Sequence, residues 1–438
     1  MKWTKRNALL ICVAFLLTSC GNYKNTEPTL ISINLLDKNG FSETISSKDR
    51  LNNYQNANFL TAQPYDKIVR VYGKDDKGWS HTYLHAYHPN GQPKQYLEAV
   101  NSRASGIYRE WFPTGVLKLE AVVVGGVADL SPAAQETWLF DQECRAFDEE
   151  GYLVALVPYE KGRLNGVAYT YHKNGVVSKK EPYNTGDLDG LVEAYTIEGT
   201  LFQSENYEMG LHNGESYFYW IDGDHKQLAS FESYQKGWLE TGRYYDKSGQ
   251  LICEVVDGNG KRAQFNDNFL QEVQEFRNGQ QEGLVSVYSP QHILQSTYCV
   301  KKGFKHGHEV MYWQKDGLQK QLNKENDLVP KLSIQWNEGG IQGIVKSWYD
   351  NGILESQREM SQNKKNGLST AWYRDGSLML IEEYQNDQLV NGEYFKKSER
   401  TPVSKIVAGK GTASLFDSEG GFARQIHYRE GKPIEKRS

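Results

Sequence analysis

From about residue 80 onward, short runs of alternating apolar and polar residues are separated by glycine-containing pairs at steady intervals. A period of two marks strands whose two faces differ. After Gly166, the residues Val167, Tyr169 and Tyr171 share one face. After Gly190 that face carries Leu191, Glu193 and Tyr195, and after Gly343 it carries Ile344, Lys346 and Trp348. On a return strand, Leu201, Gln203, Glu205 and Tyr207 lie together. Apolar residues sit toward the strand ends, with a polar residue often in the middle. A sandwich core requires an uninterrupted apolar face. The pattern instead predicts a thin sheet, mostly one layer, held by rows of side chains running from repeat to repeat and by cross-strand pairs.

The runs share a spacing, Gly-x4-aromatic-x3-Gly. It appears at Gly106, Trp111, Gly115; at Gly166, Tyr171, Gly175; at Gly190, Tyr195, Gly199; and at Gly214, Tyr219, Gly223. It returns at Gly343, Trp348, Gly352; at Gly367, Trp372, Gly376; and at Gly411, Phe416, Gly420. A unit recurring near every 24 residues is the signature of a repeat architecture. Asn-Gly and Asp-Gly pairs punctuate one end of each unit, and "EKGRLNG"-like stretches the other, so each unit reads as two strands and two turns. The predicted fold is all-β, an elongated, mostly single-layer antiparallel sheet of stacked β-hairpin repeats. Trp111, Tyr171, Tyr195, Tyr219, Trp348 and Trp372 are expected to pack between hairpins, and Gly175, Gly199, Gly352 and Gly376 to occupy turns. Helix is expected only near Ser47–Asn53 and within 131–137. The array spans 67–438, with an interruption near 120–146.

The chain opens on a basic head (Lys2, Lys5, Arg6) and a short apolar run, Asn7 to Leu17, too short to span a bilayer and suited to a secretory signal. Leu17-Thr18-Ser19-Cys20 follows, and the stretch resembles the lipobox of bacterial lipoproteins. That resemblance implies a signal peptide over 1–19, a lipid on Cys20, a tether with a small extension over 20–66, and attachment through the lipid alone. Gly21 in place of Asp favours the outer membrane over the inner if the organism has two. Loss of the three basic residues leaves 47 of 50 against 55 acidic ones, a formal charge of −8. That balance argues against a nucleic-acid partner.

"YEKGRLNGVAYTYHKNG", "YEMGLHNGESYFYWIDG" and "GLSTAWYRDGSL" resemble the variant MORN repeats of bacterial proteins, the YwqK-type antitoxin repeat family. The resemblance covers roughly residues 80–430, with gaps. It implies stacked hairpins in a twisted sheet and a role in binding and scaffolding. The tighter G-x-G ending of eukaryotic copies is mostly missing, so phospholipid binding is not carried over. An antitoxin role implies a toxin partner.

Other chemistry is sparse. His81 and His85 lie four apart on a strand-like stretch, roughly 13 Å along an extended chain, too far for one metal. His306 and His308 have no third ligand nearby. No phosphate loop, calcium loop or nucleophile elbow is present. Cys144, Cys253 and Cys299 show no close spacing; they form one disulfide with a thiol left over, or stay as three free thiols, the plainer reading. The expectation is a non-enzymatic, lipid-anchored envelope protein with a protein partner and no cofactor or metal. The alternatives are a cell-wall or glycan-binding module, then an antitoxin-like partner of a toxin, then an envelope hydrolase.

Overall fold

The computed structural model describes residues 28–223, 225–266, 269–314 and 328–434. The described chain is nearly all strand, in antiparallel hairpins that follow one another in sequence. It divides into two units, the first ending at Arg163 and the second beginning at Leu164. The signal segment and Cys20 lie outside the described residues.

In the first unit, Thr29–Asp37 pairs with both Ser42–Ile45 and Asp66–Lys74. The stretch expected as a tether and small extension therefore supplies two strands of the sheet. Hairpins continue through Ser80–Tyr87, Pro93–Val100, Arg103–Trp111, Leu117–Val123, Phe140–Phe147 and Leu153–Glu160. Here the sheet carries a second layer. The interruption near 120–146 folds back so that Trp138 buries against Tyr108, Leu97 and Val123. Its indole Nε1 donates to the Val127 carbonyl at 2.8 Å. The short helix Pro132–Gln135 belongs to this cover. A second short helix, Lys48–Leu51, packs Leu51 against Ile33, Ile45 and Val69.

In the second unit each hairpin uses two kinds of turn. At the Asn-Gly end, Gly175 N–H donates to the His172 carbonyl, and His172 N–H to the Val176 carbonyl, both at 2.8 Å. Gly175 stands at φ +82°, and Asn174 is absent from the residues with positive φ. The turn is thus a type I turn followed by a left-handed glycine, a position where a side chain is strained. Gly199, Gly352 and Gly376 stand alike at +86°, +85° and +86°. At the far end two successive residues have positive φ, as in Met209 (+48°) and Gly210 (+78°), the mark of a type I′ turn. Each such turn is tied to the preceding hairpin: Gly210 N–H donates to the Leu188 carbonyl at 2.8 Å and Gly237 N–H to the His212 carbonyl at 2.7 Å.

Between the turns, the residue one after the leading glycine points outward and the residue two after points inward. Ala168, Val192, Val285 and Val345 are buried at the inward position, paired with the return strand. At each signature aromatic the register slips by one residue, as between Ala194 and Tyr195 or Ala371 and Trp372, the mark of a β-bulge. The next residue returns to the inner face. Its side chain then reaches one repeat onward. Tyr349 Oη donates to the Trp372 carbonyl at 2.8 Å, and Tyr373 Oη to the Phe395 carbonyl at 2.6 Å. His172 Nε2 meets the Tyr195 carbonyl at 2.8 Å, Trp220 Nε1 the Tyr245 carbonyl at 3.1 Å and Trp313 Nε1 the Trp348 carbonyl at 2.8 Å. Asn174 Nδ2 and Asn351 Nδ2 add bonds to the next turn, at Ile197 and Arg374.

Tyr373 is fully buried, so removing its hydroxyl leaves a buried carbonyl unpaired. Tyr373→Phe is expected to cost about 1–3 kcal/mol, read as a lower denaturant midpoint at unchanged slope.

Candidate functional site

Two features of the second unit depart from what stacking alone requires. The first is on the outer face. Val167, Leu191, Leu284, Ile344 and Leu368 all stand at the position after a leading glycine, and each is exposed by 38–51%. Several are held by the strand opposite. Glu359 Oε2 accepts from the Leu368 N–H at 3.3 Å, and Glu275 Oε2 from the Leu284 N–H at 3.0 Å. The leading glycine makes that approach feasible: Gly367 stands at φ +115°, and a Cβ there would overlap the Glu359 carboxylate. Neighbouring copies are two strands apart, a step of about 10 Å. Glu215, Lys261 and His308 stand exposed at the same position in their repeats, so the row falls into Val167 with Leu191, then Leu284, then Ile344 with Leu368.

The second feature is an inner-face polar cluster. Glu232 is buried and Arg262 half-buried, and they are joined by two bonds, Nε to Oε1 at 2.7 Å and Nη2 to Oε2 at 3.2 Å. Tyr244 Oη donates to Oε1 at 2.7 Å and Tyr234 Oη to Oε2 at 2.8 Å. Burial pushes the Glu232 carboxyl up, but the guanidinium and the two phenols outweigh it and hold it below the usual carboxylate range. Tyr244 reaches back over Gly242, where a Cβ would overlap its hydroxyl. Beside them Tyr207 Oη meets His212 Nε2 at 2.9 Å and donates to Glu205 Oε2 at 3.3 Å.

The same device recurs around Glu382, which accepts from Tyr384 Oη at 3.0 Å and Tyr394 Oη at 2.8 Å, with Gly392 beneath Tyr394. Both copies read Glu-x-Tyr-x7-Gly-x-Tyr. No arginine is hydrogen-bonded to Glu382 among the described residues, and Glu382 is only half-buried. The difference lies in the sheet. Phe265 stacks on Phe218 (ring centroids 6.0 Å apart) and meets Trp220 at 4.7 Å. Their strands are four apart in order, about 19 Å in a flat sheet. The sheet therefore closes over its inner face here, and Glu232 is buried deeply enough to need a counter-charge.

In the first unit, an open cavity of about 880 Å³ lies under Leu51, Tyr54 and Phe59 and is floored by Val71, His85 and Tyr96. His85 sits between Phe59 (5.6 Å) and Tyr96 (5.0 Å). Burial pushes its imidazole down to about 4. His81 instead meets Asp75 Oδ2 at 3.1 Å. No group of three or more His, Cys, Asp or Glu residues placed to hold a metal occurs among the described residues.

Trp111, Tyr171, Tyr195, Tyr219, Trp348 and Trp372 are half-buried, on the outer side of the alternation. Bonds between repeats come from the residue after four of them, His172, Trp220, Tyr349 and Tyr373, and the carbonyls of Trp111, Tyr195, Trp348 and Trp372 are among the acceptors. Leu191 and Glu205, taken from facing strands, lie on opposite faces, because Glu205 pairs with Val192. Cys144, Cys253 and Cys299 are free, and burial pushes Cys144 up to about 11 and Cys253 to about 12. The Glu-x-Tyr-x7-Gly-x-Tyr signal was legible in the chain but masked by the stronger aromatic period.

The MORN repeat variant family model matches residues 164–185 and 341–362. Each match runs from the start of a leading strand to the next type I′ turn, one structural unit as described above. Comparison with curated proteins gives no match. Two of the structural units are thus similar to the MORN repeat variant, and they stand in an array of hairpins built to the same plan.

Removing one member of the inner ion pair leaves the other charge buried alone. Arg262→Met is expected to cost about 3–5 kcal/mol, and adding Glu232→Gln to recover part of it, checked by equilibrium unfolding of the three variants. His85 makes a separate prediction. The unfolded chain protonates it near its ordinary value of 6.5, while the folded chain resists until about 4. Stability is therefore lost as pH falls through that window, by at most about 1.4 kcal/mol per pH unit. His85→Leu is expected to flatten this part of the pH–stability curve; a curve parallel to the unsubstituted protein would contradict the assignment.

Proposed function

We propose that the chain is a non-enzymatic, lipid-anchored envelope protein whose repeat array is a scaffold for a protein partner. The observation that carries this reading is the outer row of Val167, Leu191, Leu284, Ile344 and Leu368. Single exposed aliphatics need no explanation, but five at one position of a repeat form an ordered surface. Repeat arrays present extended binding surfaces of this kind. The inner face carries the bonds that join repeats, so the outer face is the one that offers a broad surface to a protein. The lipid on Cys20 and the envelope location rest on the resemblance of the first twenty residues to a lipoprotein signal.

The test places a photo-crosslinking amino acid at Leu191 or Leu368 in cells. Both positions are expected to capture the same protein, and the double change Leu191→Ser, Leu368→Ser to abolish its co-purification. Stability is expected to move by less than about 0.5 kcal/mol per site, since both side chains are exposed. Adducts no more frequent than at an exposed turn position such as Glu198 would overturn the docking surface. Cys20→Ala is expected to release the protein from membranes; unchanged membrane retention would overturn the anchor alone.

A further inference from the structure

We propose that the inner-face cavity beside Arg262 binds a single saccharide ring, a neutral ligand bearing several hydroxyls. The cavity measures about 190 Å³. Pockets for drug-sized ligands run to about 300–1,000 Å³, so this one suits one sugar ring rather than a chain of them. Gln203, Glu205, Ser216, Arg262 and Gln264 supply its polar wall, and Phe218 and Phe265 its apolar one.

These polar groups have unused capacity. Ser216 is 5% exposed, and its Oγ has no hydrogen-bond partner. A buried hydroxyl in that state is costly unless something meets it. Arg262 spends Nε and Nη2 on Glu232, and its Nη1 donates to no described residue. Glu205 receives Tyr207 at Oε2, which leaves Oε1 as an acceptor. Gln264 accepts from Gln274 at Oε1, at 3.1 Å, which leaves its own N–H groups as donors.

The wall thus alternates donors and acceptors. A hydroxyl both donates and accepts, so it satisfies either kind. Glu232 and Arg262 cancel, and the remaining carboxylate of Glu205 disfavours an anion. A cation would enter beside the Arg262 guanidinium. An uncharged polyhydroxyl ring meets every free group without burying a new charge. Its carbon-bound face would rest against the Phe218–Phe265 pair, as sugar rings do on aromatic surfaces.

This inference stands on the face opposite the outer row, so either can fail without the other. The test is saturation-transfer NMR on the full chain with D-glucose, D-galactose and N-acetyl-D-glucosamine in turn, at millimolar concentration. Ring-proton signals are expected for at least one of the three. Gln264→Leu and Ser216→Val are each expected to lower them about fivefold, the worth of one hydrogen bond, with the far-ultraviolet circular dichroism of the unsubstituted chain retained. Ser216→Ala replaces the valine variant if the latter does not fold. The Leu191→Ser, Leu368→Ser protein is expected to keep the full signal. No transfer from any of the three sugars overturns the proposal. Transfer undiminished in both cavity variants places the sugar elsewhere and overturns it as well.

Discussion

The second unit depends on one recurring bond, from a side chain on the inner face to the backbone carbonyl of an aromatic residue in the next repeat. A hairpin alone satisfies its ladder hydrogen bonds but gains little from a narrow, partly polar face. The slip in register at each aromatic brings the following side chain to the inner face, where it can reach onward. Tyrosine, tryptophan and histidine all serve, because each carries an N–H or O–H at the end of a flat apolar body. The aromatic that repeats most visibly is thus the acceptor's backbone address, and the donor beside it is free to vary.

That arrangement sets what each face can do. The inner face is narrow and strongly constrained, and its carboxylates are held by phenol hydroxyls. Glu382 is content with two phenols at a half-buried site, whereas Glu232, under the closed part of the sheet, also takes Arg262. The pair does not imply extra stability over an apolar filling, since desolvation consumes most of its attraction. It does fix which tyrosines converge there. The outer face is tied through its strand backbone, the carboxylates over the leading glycines and exposed contacts such as Lys180 with Glu193 and Tyr195, none of which uses the aliphatic row.

Much of the architecture was legible because turns are local. Glycines that need positive φ, such as Gly175 and Gly376, announce themselves by residue type, and alternation announces the strands. The faces were less legible. A bulge adds one residue on the return strand and swaps the face of everything beyond it, so period-two counting from Gly190 and from Leu201 reached opposite sides. The closing of the sheet near Phe265 was invisible for a different reason: it depends on side chains four strands apart, and no local pattern encodes that approach. The second layer in the first unit, with Trp138 on Tyr108, follows the same rule, since an interruption shows where the repeat stops but not what it covers.

The outer row serves as a docking surface only if a partner covers it in the cell. Hydroxyl-radical footprinting of the protein in intact cells, set against the purified chain, tests this most directly. Leu191, Leu284, Ile344 and Leu368 are predicted to lose reactivity in cells, while Leu211, Trp238 and Phe304, exposed beside the type I′ turns, keep theirs. Equal reactivity of the outer row in the two settings would contradict it.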